Sequence, residues 1–164
     1  MKLMTRKTLP WLVVAGLALV PAMTVSAAPD QARVAVTYEQ PEKFTDIRDG
    51  NFESDRGRQH TLDVLRQHIE RRGAASLPAG YSLAVVVSDV DLAGDYEPWR
   101  TKLNDVRVVR AIYPPRINLQ YTLIDADGRV VAESRSELRD AAFLQTIAID
   151  RGDTLRFEKA LIDS

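Results

Sequence analysis

The spacing of apolar and polar residues changes several times along the chain, and each change predicts a new element. Val34, Val36 and Tyr38 alternate with Arg33, Ala35 and Thr37, the period of two of a short strand with one buried face. A proline-containing loop over 40–50 follows. Across 54–72 the period becomes helical, with Leu62, Leu65 and Ile69 on one stripe and Gly73 placed to end the helix. Leu77, Pro78, Ala79 and Gly80 turn the chain into 82–92, a valine-rich run apolar on both faces over 84–87, which predicts the central strand of a sheet.

Gly94, Pro98 and mixed charge make 93–104 a loop that carries Trp99, and 106–112 is strand-like again. Pro114 and Pro115 halt pairing there, because proline brings no donor to a ladder. Residues 117–124 form the cleanest amphipathic strand, with Ile117, Leu119, Tyr121 and Leu123 on one face and Asn118, Gln120 and Thr122 on the other. Asp127-Gly128 then predicts a two-residue hairpin loop in which both residues take positive φ, with the return strand over 129–138. That loop sets Leu123 opposite Ala132, Tyr121 opposite Ser134, Leu119 opposite Ser136 and Ile117 opposite Leu138, so large residues meet small ones on the core side. A slip of one would set Leu123, Tyr121 and Leu119 against Val131, Glu133 and Arg135, and the two-residue loop is therefore favoured.

The last segment, 152–164, reads as a helix opened by Asp153. Its apolar residues lie on two sides, Phe157 and Leu161 on one, Leu155 and Ile162 on the other. A surface helix needs a single stripe, so Phe157 and Leu161 are expected on the sheet. Leu155 and Ile162 are then expected to be partly exposed, as the start of an apolar patch for a partner. Together these elements predict a two-layer α+β fold, an antiparallel-rich sheet of four to five strands with two main helices on one face.

The first 27 residues change the picture of where the protein works. Lys2, Arg6 and Lys7 precede an apolar run over 11–20 that Pro21 breaks, and Val25-Ser26-Ala27 supplies a small-x-small exit, the pattern of a cleaved secretory signal peptide. A spanning helix needs about 20 apolar residues. Cleavage after Ala27 leaves 137 of the 164 residues, 28–164, as a single domain. The sequence contains no cysteine. A lipoprotein anchor and disulfides are thereby excluded, and the fold rests on its own core. No transmembrane helix is expected after cleavage, and the address is periplasmic or secreted.

The leader holds three basic residues, so the mature chain has 19 Lys and Arg against 23 Asp and Glu, a net charge of −4. Nucleic acid is not an expected partner, since its binders carry a basic surplus. Asp89, Asp91, Asp95 and Glu97 form an acidic group in which Asp89 and Asp91 share one side of a strand. Such oxygens suit a hard divalent cation; the plainer alternative is carboxylates that cap loop amides and pair with arginines. Arg107, Arg110 and Arg116 surround Tyr113-Pro114-Pro115, a patch for an anionic ligand or acidic partner, against the alternative of charges guarding an edge strand. Trp99, beside Tyr96 and Pro98, is either a lid over the core or a platform for a ligand.

His60 and His68 are eight apart, about 80° around a helix, and cannot share a metal as an i, i+4 pair does. No nucleophile elbow, phosphate loop, dinucleotide fingerprint or His-Glu-x-x-His occurs. No catalytic residue and no cofactor is expected.

Pro41-Glu-Lys-Phe-Thr-Asp46, Asp89-Val-Asp-Leu-Ala-Gly94 with Glu97-Pro-Trp99, and Tyr113-Pro-Pro-Arg-Ile117 followed by Asp127-Gly128 resemble a proteobacterial secreted domain of unknown function. The resemblance spans essentially the mature chain, carries over no catalytic residue, and implies a periplasmic or secreted protein of undetermined activity. In layout alone, strand, helix and meander closed by a helix resemble small envelope accessory proteins such as the lipopolysaccharide-assembly lipoprotein that plugs a barrel; the lipid-bearing cysteine of that protein is missing here. The function expected is a non-enzymatic binding or accessory module of the cell envelope with an envelope protein or anionic envelope ligand as partner. The alternative is a divalent-cation-dependent enzyme or metal-binding protein using the acidic loop. Fractionation should place the mature protein in soluble periplasm or medium with Ala28 at its N-terminus. Recovery in membranes with Met1 retained would identify the leader as an anchor instead.

Overall fold

The computed structural model describes residues 33–48, 54–99, 106–145 and 152–164; the leader lies outside them. The elements run β1 (Val34–Tyr38), α1 (Asp55–Ser76), β2 (Ser82–Asp91), β3 (Asp95–Tyr96), β4 (Arg107–Val108), β5 (Arg116–Ile124), β6 (Val130–Arg139) and α2 (Arg156–Asp163). Four strands form one mixed sheet in the order β1-β2-β5-β6, and β3 pairs with β4 in a second, two-stranded one. This is the expected α+β class, with β2–β5 and β5–β6 antiparallel. The first pair, β1 with β2, is parallel, because α1 carries the chain back between them. A parallel neighbour requires such a crossover.

One face of the sheet is covered. Val34 and Val36 of β1, Val85, Val87 and Val90 of β2 and Ile117 of β5 meet Leu62, Leu65 and Ile69 of α1 and Leu155 and Leu161 from the C-terminal segment in one core. Ser54 caps α1, its Oγ accepting from the Gly57 N–H at 3.0 Å. The helix does not stop at Gly73 but continues to Ser76, and Gly73 has another task. A Cβ there would stand 3.0 Å from Val34 Cγ2, so glycine lets the helix lie close on β1. Tyr38 Oη donates to the Leu62 carbonyl at 2.7 Å and fixes the same contact.

β2 is the central strand expected, paired with β1 and β5, while the opposite face of the sheet is open at Val86, which is 37% exposed. The β5–β6 pairing matches expectation, with Leu123 on Ala132, Tyr121 on Ser134, Leu119 on Ser136 and Ile117 on Leu138. Its turn differs. Only Gly128 has positive φ, its N–H reaches the Asp125 carbonyl at 3.1 Å, and Asp125 N–H reaches the Arg129 carbonyl at 2.9 Å. The loop is thus one residue longer than a primed turn, and an irregularity between Ile124–Val130 and Leu123–Ala132 leaves Val131 as an extra residue that restores the register. The strand expected over 106–112 shrinks to the two residues of β4.

The C-terminal helix also differs. Asp153 does not begin α2 but accepts from the Leu155 N–H at 2.9 Å, and Leu155 occupies the N-cap position. Leu155 is only 7% exposed, within the main core, and Ile162 is half-buried against it. The expected patch of Leu155 and Ile162 is therefore not present at Leu155. Phe157 leaves the sheet and packs on Phe143, ring centroids 4.9 Å apart, with Ala93 in the same cluster. Leu155→Ala should cost about 2–5 kcal/mol, with Ile162→Ala clearly milder. Thermal melts followed by circular dichroism check this, and equal small effects would place Leu155 outside the core.

Candidate functional site

The site begins with one irregularity in β2. Val87 pairs with Leu119 but Asp89 pairs with Asn118, so Ser88 is an extra residue, a β-bulge that switches the facing of the strand from Asp89 onward. Val90 and Leu92 enter the core, while Asp89 and Asp91 turn to the open face, where Arg116 of β5 lies. Arg116 Nη2 stands 3.5 Å from each of the two carboxylates.

Two further segments close on this strand end. After β1, Gln40 in the left-handed region and a short turn at Pro41–Lys43 redirect the chain. Asp46 then bridges to β2, its N–H bonded to the Val90 carbonyl at 3.0 Å and its own carbonyl receiving the Leu92 N–H at 3.0 Å. Thr45 adds two bonds to Asp89, from its N–H at 2.7 Å and its hydroxyl at 2.8 Å. On the other side Gly94 N–H donates to the Tyr113 carbonyl at 3.0 Å. Gly94 has φ +82, and a Cβ there would stand 2.8 Å from the Val108 carbonyl oxygen, so only glycine fits.

The loop after β1, the end of β2 and the segment entering β5 thus converge on one cleft of about 400 Å³. Thr45, Asp46, Asp91, Gly94, Tyr113 and Arg116 line it, with Arg48, Asp95 and Arg139 among the remaining walls. Arg139 sits beside Arg116 because the two are partners in the β5–β6 register. Burial raises the Asp91 pKa from its ordinary value; Arg116 opposes this, and Asp46, Asp89 and Asp95 add to it.

Arg107 supports the floor. It donates to Asp46 Oδ2 at 2.9 Å, the Gly94 carbonyl at 2.9 Å and the Arg48 carbonyl at 3.0 Å, and lies 4.8 Å over the Tyr96 ring. Burial works against its charge, but the hydrogen bond and charge of Asp46 together with Tyr96 outweigh it, and its pKa rises. Arg48 Nε meets Asp46 Oδ1 at 3.2 Å and its Nη2 meets Asp95 at 3.7 Å.

Of the expected contact residues, only Tyr113 and Arg116 line this cleft. Arg107 is an internal clamp, and Arg110 pairs with the buried Glu97 at 3.3 Å. Trp99 is 68% exposed and not in the lining. The expected cation set does not form as a group: Asp89 is held by Thr45, Asp95 by Arg48 and Tyr96 N–H, and Glu97 by Arg110. Among the described residues, no three His, Cys, Asp or Glu side chains are placed to hold a metal ion. His68 meets Asp163 at 2.9 Å beside Arg72, joining α1 to α2, and His60 is exposed on α1. Sequence reading missed Asp46, Arg48 and Arg139 as wall residues. Arg139 was within reach, since the hairpin register extended by one pair sets it opposite Arg116.

Another buried carboxyl stands apart from the cleft. Glu158 of α2 is 1% exposed; its Oε1 accepts the Ala93 N–H at 2.7 Å, and burial raises its pKa. A group with a raised folded pKa stabilises the fold fully below its unfolded pKa, and this contribution is lost as pH rises through the folded value. Glu158→Gln keeps the group neutral throughout. The melting temperature of Glu158→Gln relative to the parent should therefore climb between pH 4 and pH 8; a difference independent of pH would show that Glu158 ionises as readily folded as unfolded.

Residues 32–164 match a family model described as protein of unknown function, DUF3016. No curated protein and no solved structure matches the chain. A family of unknown function is what the resemblance implied, and no residue role comes with it.

Proposed function

We propose that this chain, which belongs to the DUF3016 family, is an exported binding module of the cell envelope whose Asp and Arg cleft receives an anionic group. The reading of export rests on the leader. The reading of binding rests on the lining: among its described residues there is no Ser, Cys, His or Lys, and the one Thr hydroxyl donates to Asp89. Acyl transfer through a Ser or Cys nucleophile with a His or Lys base beside it finds no support in this lining.

Arg116 is the residue that takes the ligand. Its contacts with Thr45, Asp89 and Asp91 are 3.4–3.5 Å, longer than the 2.7–2.9 Å of a close charge-assisted bond, so the guanidinium is loosely held. Burial raises the Asp91 pKa against the pull of Arg116, so this carboxylate is a weaker competitor for the guanidinium than a solvated one. A carboxylate or phosphate reaching Arg116 would gain a bidentate partner, with Arg139 alongside and the Tyr113 segment as the far wall. The described residues include no helix long and apolar enough to cross a membrane.

The test is a thermal melt of the mature chain with inorganic phosphate and with citrate, each against chloride at matched ionic strength. A ligand that binds only the folded state raises melting temperature with its concentration. The expected result is a rise of a few degrees with one of these anions, lost in Arg116→Gln. The same curves with and without both anions would remove this reading.

A further inference from the structure

Among the described residues the sheet ends on one side in β6, ten residues long with none buried, and its outer row of N–H and C=O groups faces away from β5. Free edges of this length are usually guarded by lysine, proline, inward charges or a bulge. From Ala132 to Arg139 there is no lysine or proline, the helix-side positions are Ala132, Ser134, Ser136 and Leu138, and the extra residue Val131 lies before this stretch. The open-face positions are Glu133, Arg135, Glu137 and Arg139, alternating in sign.

We infer that β6 pairs antiparallel with β6 of a second copy of this chain, about a two-fold axis through Ser136, and joins the two sheets into one of eight strands. The charges select that register. Centred on Ser136, Glu133 faces the partner's Arg139 and Arg135 faces the partner's Glu137, and both pairs recur by symmetry, so all eight charges meet opposite charges. Centred on Arg135, Glu133 faces Glu137 and Arg135 faces itself. Centred on Glu137, Arg135 faces Arg139. Centred on Ser134, Glu137 faces Val131 and Arg139 faces Arg129. Only the Ser136 register satisfies every charge.

The helix side fits the same partner. There Leu138 faces Ser134 of the second copy, a large residue against a small one, as Leu119 faces Ser136 within the chain. Leu119, Tyr121, Leu123, Leu138 and Ile162 line a groove of about 450 Å³ beside this edge, and each is only partly buried. A two-fold axis perpendicular to the sheet keeps both helical layers on one side, so the second copy extends the covered face and not the open one.

The absence of native cysteine makes the register directly testable. Ser136→Cys in the mature chain should form a disulfide-linked dimer on mild oxidation, seen on a non-reducing gel. Ser134→Cys should not, because its two copies lie about 13 Å apart along the strands, beyond the reach of a disulfide. In sedimentation equilibrium the parent should be a dimer. Glu133→Arg with Glu137→Arg, and separately Arg135→Glu with Arg139→Glu, should each be monomeric while keeping the parent's circular dichroism, and a mixture of the two should regain dimers. A parent that sediments as a monomer at high micromolar concentration, or equal crosslinking of Ser134→Cys and Ser136→Cys, would overturn the inference.

Discussion

Between Val87 and Asp89 the chain carries one residue more than its partner strand β5, and the character of both sheet faces depends on it. Without Ser88 as the extra residue, strict alternation from Val85 and Val87 would bring Asp89 and Asp91 under the helices and turn Val90 outward. Two unpaired carboxylates in an apolar core are among the most destabilising arrangements a fold can hold. The bulge exchanges them, so the core gains Val90 and Leu92 while the open face gains the acidic pair. Bulges recur where a strand must re-aim a side chain, and here the re-aimed residues build the cleft.

Held against that strand end, the neighbouring loops need a clamp, and Arg107 provides it. Its guanidinium joins Asp46 from the loop after β1, Gly94 from the loop after β2 and the Arg48 carbonyl, while its flat face lies on Tyr96. Arginine suits this better than lysine, because a planar fork reaches several acceptors at once. Asp46 is buried, and the ion pairs with Arg107 and Arg48 are what make its charge tolerable. A buried pair of this kind adds little net stability, and its value here is in fixing where three segments stand. The cleft is thus rigid at Arg107 and loose at Arg116. That contrast is what the proposed anion site would use.

The chain by itself determined the elements whose residues need only neighbours along one strand or helix. The α1 stripe of Leu62, Leu65 and Ile69 and the β5–β6 register both come from local period, since a slip of one residue would reverse the faces. The register survived even though the turn was different, because the burial preference of four residue pairs outweighs the conformation of one loop. What only the tertiary structure decided were the features that depend on distant contacts. Gly73 reads as a helix end until Val34 is seen to lie against it, and Leu155 as a surface residue until the main core encloses it. Arg107 and Arg116 read as one basic patch until Asp46 takes the first and leaves the second to Asp89 and Asp91. The bulge at Ser88 has no signature in the local pattern, because its benefit lies in the facing of Val90 and Leu92 toward α1 and the C-terminal segment, partners that the strand meets only when the chain has closed.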